Sequence, residues 1–153
     1  MAEGADAQTQ RFTNAADPYD RRAAEQELRW FSGGWTDPAA PIGLVIADAG
    51  DDSYLGAVLL FRDRPGGIVE LGYGVAPAAR GRGVATRAVR LASGWAFAEL
   101  GTPRLEARTD PENAASQRVL ERAGYSREGL ERRSREVHGV RRDMICWSLL
   151  PGD

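Results

Sequence analysis

One stretch limits the architecture more than any other. The run Ile68 to Val75 passes through Pro77 into Arg80-Gly81-Arg82-Gly83, and an amphipathic helical pattern follows from Val84 to Leu100, closed by Gly101. A strand feeding a glycine turn and then a helix leaves the first helical amides without intrahelical acceptors, at an end carrying about half a positive charge. An anion placed there gains hydrogen bonds and dipole attraction together. Gly81 and Gly83 allow positive φ and close approach of the backbone to a ligand, while Arg80 and Arg82 can add charge-assisted contacts. The same turn also serves plain strand-to-helix connections, so alone it names no ligand. Two nucleotide motifs fail on it. A P-loop needs Gly-Lys-Ser/Thr, and Gly83 is followed by Val84. A dinucleotide fingerprint needs a third spaced glycine and a downstream acidic residue inside a parallel βαβ unit, and what precedes this turn reads as a meander.

That meander follows from two short aliphatic runs, Ile42 to Ala47 and Leu55 to Phe61, separated by the acidic turn Asp48 to Ser53. Gly72 and Gly74 interrupt the third strand and predict a bulge or the close approach of another backbone. Ahead of the meander, Tyr19 to Phe31 reads as a helix ended by Gly33-Gly34. Behind the central helix, Leu105 to Thr109 is a strand, and Asp110-Pro111-Glu112-Asn113 opens a helix stopped by Gly124. Gly129 to Val137 and Arg142 to Leu150 flank a turn at His138-Gly139. Helix, three strands, helix, strand, helix and two strands predict a mixed α/β three-layer domain over residues 1–153, with 1–16 as a flexible or truncated segment.

Composition excludes several functions. No apolar run approaches the roughly 20 residues of a membrane span, and Met1 to Thr13 lacks the pattern of a signal peptide, so the cytoplasm is the expected location. Net charge is −2 with the basic residues spread along the chain, which predicts neither a nucleic-acid nor a membrane partner. All 20 basic residues are arginine; the absence of lysine excludes Schiff-base chemistry and fits a GC-rich genome. The single Cys146 and single His138 lack metal-ligand spacing, so no metal is expected. His138 reads as a turn residue and Cys146 as a buried small apolar side chain.

The run Arg80-Gly81-Arg82-Gly83-Val84-Ala85 resembles the (Arg/Gln)-x-x-Gly-x-(Gly/Ala) motif of the GNAT acetyltransferase superfamily, and it follows Val75-Ala76-Pro77 as that motif follows its strand. Asn113-Ala-Ala-Ser116, Val119 to Tyr125, Glu128-Gly129, and the terminal Gly139, Asp143 and Trp147 to Leu150 resemble the bacterial branch containing ribosomal-protein N-terminal acetyltransferases. The likeness runs from about residue 42 to 150. It implies a GNAT-like fold whose mostly antiparallel sheet splays at the acyl-CoA site, with acetyl-CoA as co-substrate and a small-molecule or peptide amine as acceptor, in a monomer or homodimer. A non-catalytic acetyl-CoA sensor is the alternative. The family's first strand is short or missing ahead of Asp17.

By that resemblance, pyrophosphate would lie on the turn from Arg80 through Gly81, Arg82, Gly83, Val84, Ala85 and Thr86. The backbones of Tyr73 and Val75 would pair with pantetheine and supply an oxyanion donor. Glu70 is the first candidate base and Glu106 the second, a bulge deciding which faces the cleft. A solvated glutamate near pKa 4.3 is a poor base for an amine near 10.4, so a raised carboxyl pKa in a partly apolar cleft, or a water relay, is needed. Many members place a tyrosine acid four residues before the last helix's closing glycine, where this chain has Leu120. The acid role then passes to Ser116, otherwise a local capping group, and Asn113 would contact pantetheine or cap the helix. Tyr19, Trp30 and Trp35 are expected to line an acceptor pocket or to sit in the core.

Overall fold

The computed structural model describes residues 6–18 and 20–153. Its elements are α1 (Ala7–Phe12), α2 (Arg21–Gly33), β1 (Ile42–Ala47), β2 (Tyr54–Phe61), β3 (Val69–Val75), α3 (Val84–Leu100), β4 (Leu105–Thr109), α4 (Ala114–Ala123), β5 (Ser126–Val137) and β6 (Val140–Leu149). The six strands form one open sheet in the order β1-β2-β3-β4-β6-β5, antiparallel throughout except for β3 beside β4. This is the expected mixed α/β three-layer arrangement.

Alternation along each strand sorts the residues into two faces. Ile42, Val58, Leu60, Val69, Leu71, Leu105 and Ala107 turn to one face, where they pack with Val89, Ala92 and Ala96 of α3 and Leu120 and Ala123 of α4. Trp147 closes this core, its indole N–H donating to Thr109 Oγ1 at 2.9 Å. On the other face lies α2, with Phe31 packed where Gly43 leaves room and Trp30 against the Phe61 ring, centroids 6.0 Å apart. Glu70, Glu106 and Arg108 share that second face by the same alternation.

Several boundaries differ from expectation for local reasons. The N-terminal stretch, expected as a flexible or truncated segment, contains α1, capped by the Asp6 carboxylate accepting from Thr9 N–H at 3.0 Å. The first predicted helix begins at Arg21, because Asp20 accepts from Ala23 N–H at 2.9 Å and so caps it there. Among the described residues, the first strand is β1. The two last strands are longer than read, since the Arg/Glu-rich part of β5 is mostly exposed and carries no apolar alternation. No bulge interrupts β3, whose register with β2 runs unbroken from Gly56↔Val75 to Phe61↔Glu70. The close approach of another backbone is that of Gly56 to Gly74, where a Cβ on Gly56 would stand 2.2 Å from the Gly74 carbonyl oxygen.

Candidate functional site

β3 and β4 run side by side for two rungs only, Val69↔Leu105 and Glu70↔Glu106, although both strands continue. Val69 N–H donates to the Arg104 carbonyl at 3.2 Å, so odd-numbered residues of β3 aim their backbone groups toward β4. Beyond the last rung, which itself engages Leu71, the Tyr73 N–H and C=O and the Val75 N–H are directed into a gap from which β4 has departed. The Val75 carbonyl accepts from Arg80 Nε at 3.0 Å. Such a half-paired strand is a template for an extended ligand carrying amides.

The glycine turn lies at the mouth of this gap. Gly81 and Gly83 hold φ of 75° and 73°, the left-handed region that the turn requires. The first intrahelical bond of α3 is Arg87 N–H to the Gly83 carbonyl, 3.2 Å, which leaves the Val84, Ala85 and Thr86 amides without an intrahelical acceptor. Arg82 is exposed beside them. Arg80 points elsewhere: its Nη2 meets Asp6 at 2.7 Å and its Nη1 meets Gln8 at 3.0 Å, drawing α1 across the turn. The Arg80 hydrogen bond holds the Asp6 carboxyl below its usual range. A cavity of about 440 Å³ lies between α1 and the start of α4, lined in part by Gln8, Arg11, Phe12, Glu112 and Asn113.

Across the gap, Asn113 caps α4, its side chain accepting from Ser116 N–H at 3.1 Å. The Ser116 hydroxyl does not act as a local cap in this arrangement. It sits 2.7 Å from the Tyr73 hydroxyl, which also lies 3.0 Å from the Ser116 carbonyl oxygen. Burial pushes the Tyr73 phenol up to about 12. Leu120 is fully buried in the core.

The opposite face of the same gap is charged. With no bulge between them, Glu70 and Glu106 are direct neighbours on the last shared rung and face the same way. Glu70 Oε2 accepts from Arg64 at 2.7 Å and from Arg108 at 2.9 Å, while its Oε1 accepts from Arg135. Glu106 accepts from Arg104 at 2.9 Å and lies 3.4 Å from Arg108. The surroundings of Glu70 are thus guanidinium groups rather than the partly apolar cleft expected. An amine reaching Oε1 would have to displace Arg135, whose side chain is 43% exposed. Arg108 also binds Glu131 through two hydrogen bonds of 2.9 and 3.0 Å, holding that carboxyl down at about 2.

The remaining candidates disperse. Trp30 lies against α2's own face of the sheet, beside a cavity of about 320 Å³ that Asn14, Gln26 and Glu27 also line. Trp35 instead packs edge-on against Trp95 of α3, centroids 5.8 Å apart, so the two tryptophans do not share a pocket. Tyr19 lies outside the described residues. His138 occupies the β5–β6 turn with φ of 48°, its Nε2 3.0 Å from the Gln10 carbonyl. Cys146 is half-buried rather than enclosed in the core; its thiol donates to Glu131 Oε1 at 3.1 Å and is pushed up to about 11, by burial and then by Glu131. Among the described residues, no cluster of His, Cys, Asp and Glu is arranged to hold a metal, and no helix is long and apolar enough to cross a membrane.

Sequence reading missed the Tyr73 side chain and the arginines around Glu70. Tyr73 shares the odd-numbered core face of β3 with Val69 and Leu71, and a phenol directed inward requires a polar partner, so alternation carried that signal. Nothing local to Arg64 or Arg135 marks them as neighbours of Glu70.

Known proteins share this framework. Over 110 residues the chain is 39% identical to the Bacillus subtilis protein "Probable N-acetyltransferase YjcK", covering 71% of this chain and 61% of that one. It spans 49–61% of the length of the curated relatives it matches. Mycobacterium smegmatis RimJ, solved in complex with CoA-disulfide, superposes with a TM-score of 0.75 at 26% identity, over 88% of this chain and 64% of that one. The Vibrio fischeri ribosomal-protein-S5-alanine acetyltransferase shares the fold with a TM-score of 0.74 at 22% identity, over 88% and 74%. The matching family profile, described as an acetyltransferase (GNAT) domain, runs over residues 2–126, from α1 through the parted strands to the end of α4, and this chain belongs to that family.

Proposed function

We propose that the chain transfers an acetyl group from acetyl-CoA directly to a primary amine, a protein N-terminus or a small molecule. The observation that carries this reading is the gap between β3 and β4. Its Tyr73 backbone and the Val75 N–H suit the amides of pantetheine, and the Val84 to Thr86 amides beside Arg82 suit pyrophosphate. These groups fit acetyl-CoA as the source of an activated carbonyl. A backbone N–H at Tyr73 or Val75 would stabilise the developing oxyanion. Glu70, or Glu106 beside it, would accept the amine's proton from one face of the gap, and Ser116 would donate toward sulfur from the other.

Proton arithmetic favours a particular acceptor class. At pH 7 an α-amine near pKa 7.8 costs about 1 kcal/mol to deprotonate, and an ε-amine near 10.4 about 4.6. A glutamate already bonded to arginines is better matched to the easier proton. Free CoA thiol released from acetyl-CoA should therefore appear with peptides bearing free N-termini or with low-pKa amines, ahead of matched lysine side chains. Preferential acetylation of lysine side chains would overturn the acceptor inference. Acetyl-CoA binding without thiol release across an amine panel would support a sensor instead, a reading favoured by the engaged state of Glu70.

A further inference from the structure

We infer that Tyr73, through its side chain, is the positioning residue that aims the Ser116 hydroxyl at the thioester sulfur; this rests on the acetyl-transfer reading above. Three observations combine. The Tyr73 hydroxyl lies within hydrogen-bond distance of both oxygens of Ser116, Oγ at 2.7 Å and the carbonyl at 3.0 Å. The ring stands on the α4 side of the strand whose backbone opens into the gap, so strand and helix are tied together at the gap's wall. The helix position four residues before Gly124, where a tyrosine could otherwise donate, holds Leu120, fully enclosed by the core.

A phenol has one hydrogen, and here it has two acceptors to choose between. When Tyr73 donates to the Ser116 carbonyl, which can only accept, the Ser116 hydroxyl can donate back to the Tyr73 oxygen. When Tyr73 donates to Ser116 Oγ, the serine's hydrogen is free to point into the gap. Negative charge building on a sulfur there favours the second arrangement, because it adds a charge-assisted hydrogen bond without moving either side chain. Burial keeps the phenol protonated across the neutral range, so its hydrogen is available to either acceptor. The tyrosine orders the dyad's hydrogens and gives up no proton itself; the serine alone faces the sulfur.

The test reads bound CoA rather than turnover alone. The thiol of CoA bound to the protein is titrated by its thiolate absorbance in the wild type, Y73F, S116A and the double variant, with acetyl-CoA affinity and kcat measured alongside. A hydroxyl aimed at sulfur should depress the bound thiol's pKa, and Y73F and S116A should each raise it. The double variant should titrate as S116A does. Turnover should fall about tenfold in Y73F, with acetyl-CoA affinity unchanged within about twofold, and no further in the double variant than in S116A. Independent, multiplicative losses would overturn the dyad, as would a Y73F thiol titrating like wild type, with the acetyl-transfer reading untouched. S116A reads the same pair from its other end should Y73F fold poorly. Failure of the wild type to bind CoA would overturn the functional reading, and this role of Tyr73 with it.

Discussion

Replacing Glu70 by glutamine separates two roles that its position combines. The carboxylate is 10% exposed and meets Arg64, Arg108 and Arg135, whose side chains are 35%, 8% and 43% exposed. Only the Arg108 pair is buried on both sides, so it dominates the energetics; the other two are screened toward the surface value. Breaking a buried pair typically costs about 3–5 kcal/mol. Arg108 retains Glu131 and Glu106, which places Glu70→Gln near the lower end, about 3 kcal/mol. For a domain of this size each kcal/mol shifts Tm by roughly 2–4 °C, giving an expected fall of about 6–12 °C by scanning calorimetry. Activity is then compared well below both melting temperatures. If Glu70 accepts the amine's proton, the loss should be greatest at low pH and should shrink as pH approaches the amine's own pKa, where the substrate deprotonates unaided. A Tm within about 2 °C of wild type would refute the burial argument. Full activity at every pH would remove Glu70 from the mechanism and turn attention to Glu106.

Three further outcomes are expected. Gly83→Val places a β-branched residue at φ of 73° with its Cβ 3.1 Å from Arg87 Nη1, and should abolish acetyl-CoA binding by calorimetry while circular dichroism remains native; unchanged affinity would refute the anion-site assignment. Asp6→Ala frees Arg80 from a competing carboxylate and should tighten acetyl-CoA binding about threefold to fivefold, a surface-pair increment of about 1 kcal/mol; weaker binding would show that α1 supports the site instead. Glu131, held at about 2 in the fold against 4.5 for a free glutamate, contributes stability that is present above about 4.5 and lost as pH falls toward 2, so Glu131→Gln should flatten the Tm profile in that window.

The elements legible in sequence were those whose register is set locally. Gly83, Gly101 and Gly124 fix the ends of α3 and α4, and the aliphatic runs of β1, β2 and β4 need no distant partner to declare themselves. The opening of the sheet was expected only from family likeness, because parting two parallel strands after Glu70↔Glu106 leaves no mark in the pattern of either strand. The charged face was illegible for a related reason. Arg64, Arg108 and Arg135 reach Glu70 from 6, 38 and 65 positions away, and in sequence each is one arginine among 20. α1 was missed because six residues with no apolar stripe give no helical period; tertiary contacts made by Asp6, Arg11 and Asn14 tie the segment down.

Leu120 shows why one departure from a family pattern must be judged in three dimensions. As sequence, a leucine where relatives place a tyrosine acid argues for a protein that binds without turning over. In the fold that leucine is fully enclosed between α4 and the sheet, packed with Val89, Leu105 and Trp147 in one core. A tyrosine there would need both added volume and a partner for its hydroxyl, each costing about 1–3 kcal/mol in a close-packed interior. This chain carries a phenol on β3, and the Tyr73 hydroxyl lies 2.7 Å from that of Ser116 on α4. The residue type expected on the helix is thus present on the strand, joined to the one serine that the helix presents to it. On the proposed reading Tyr73 positions that serine and gives up no proton, so the leucine weighs against chemistry only if Ser116 cannot serve as the donor to sulfur.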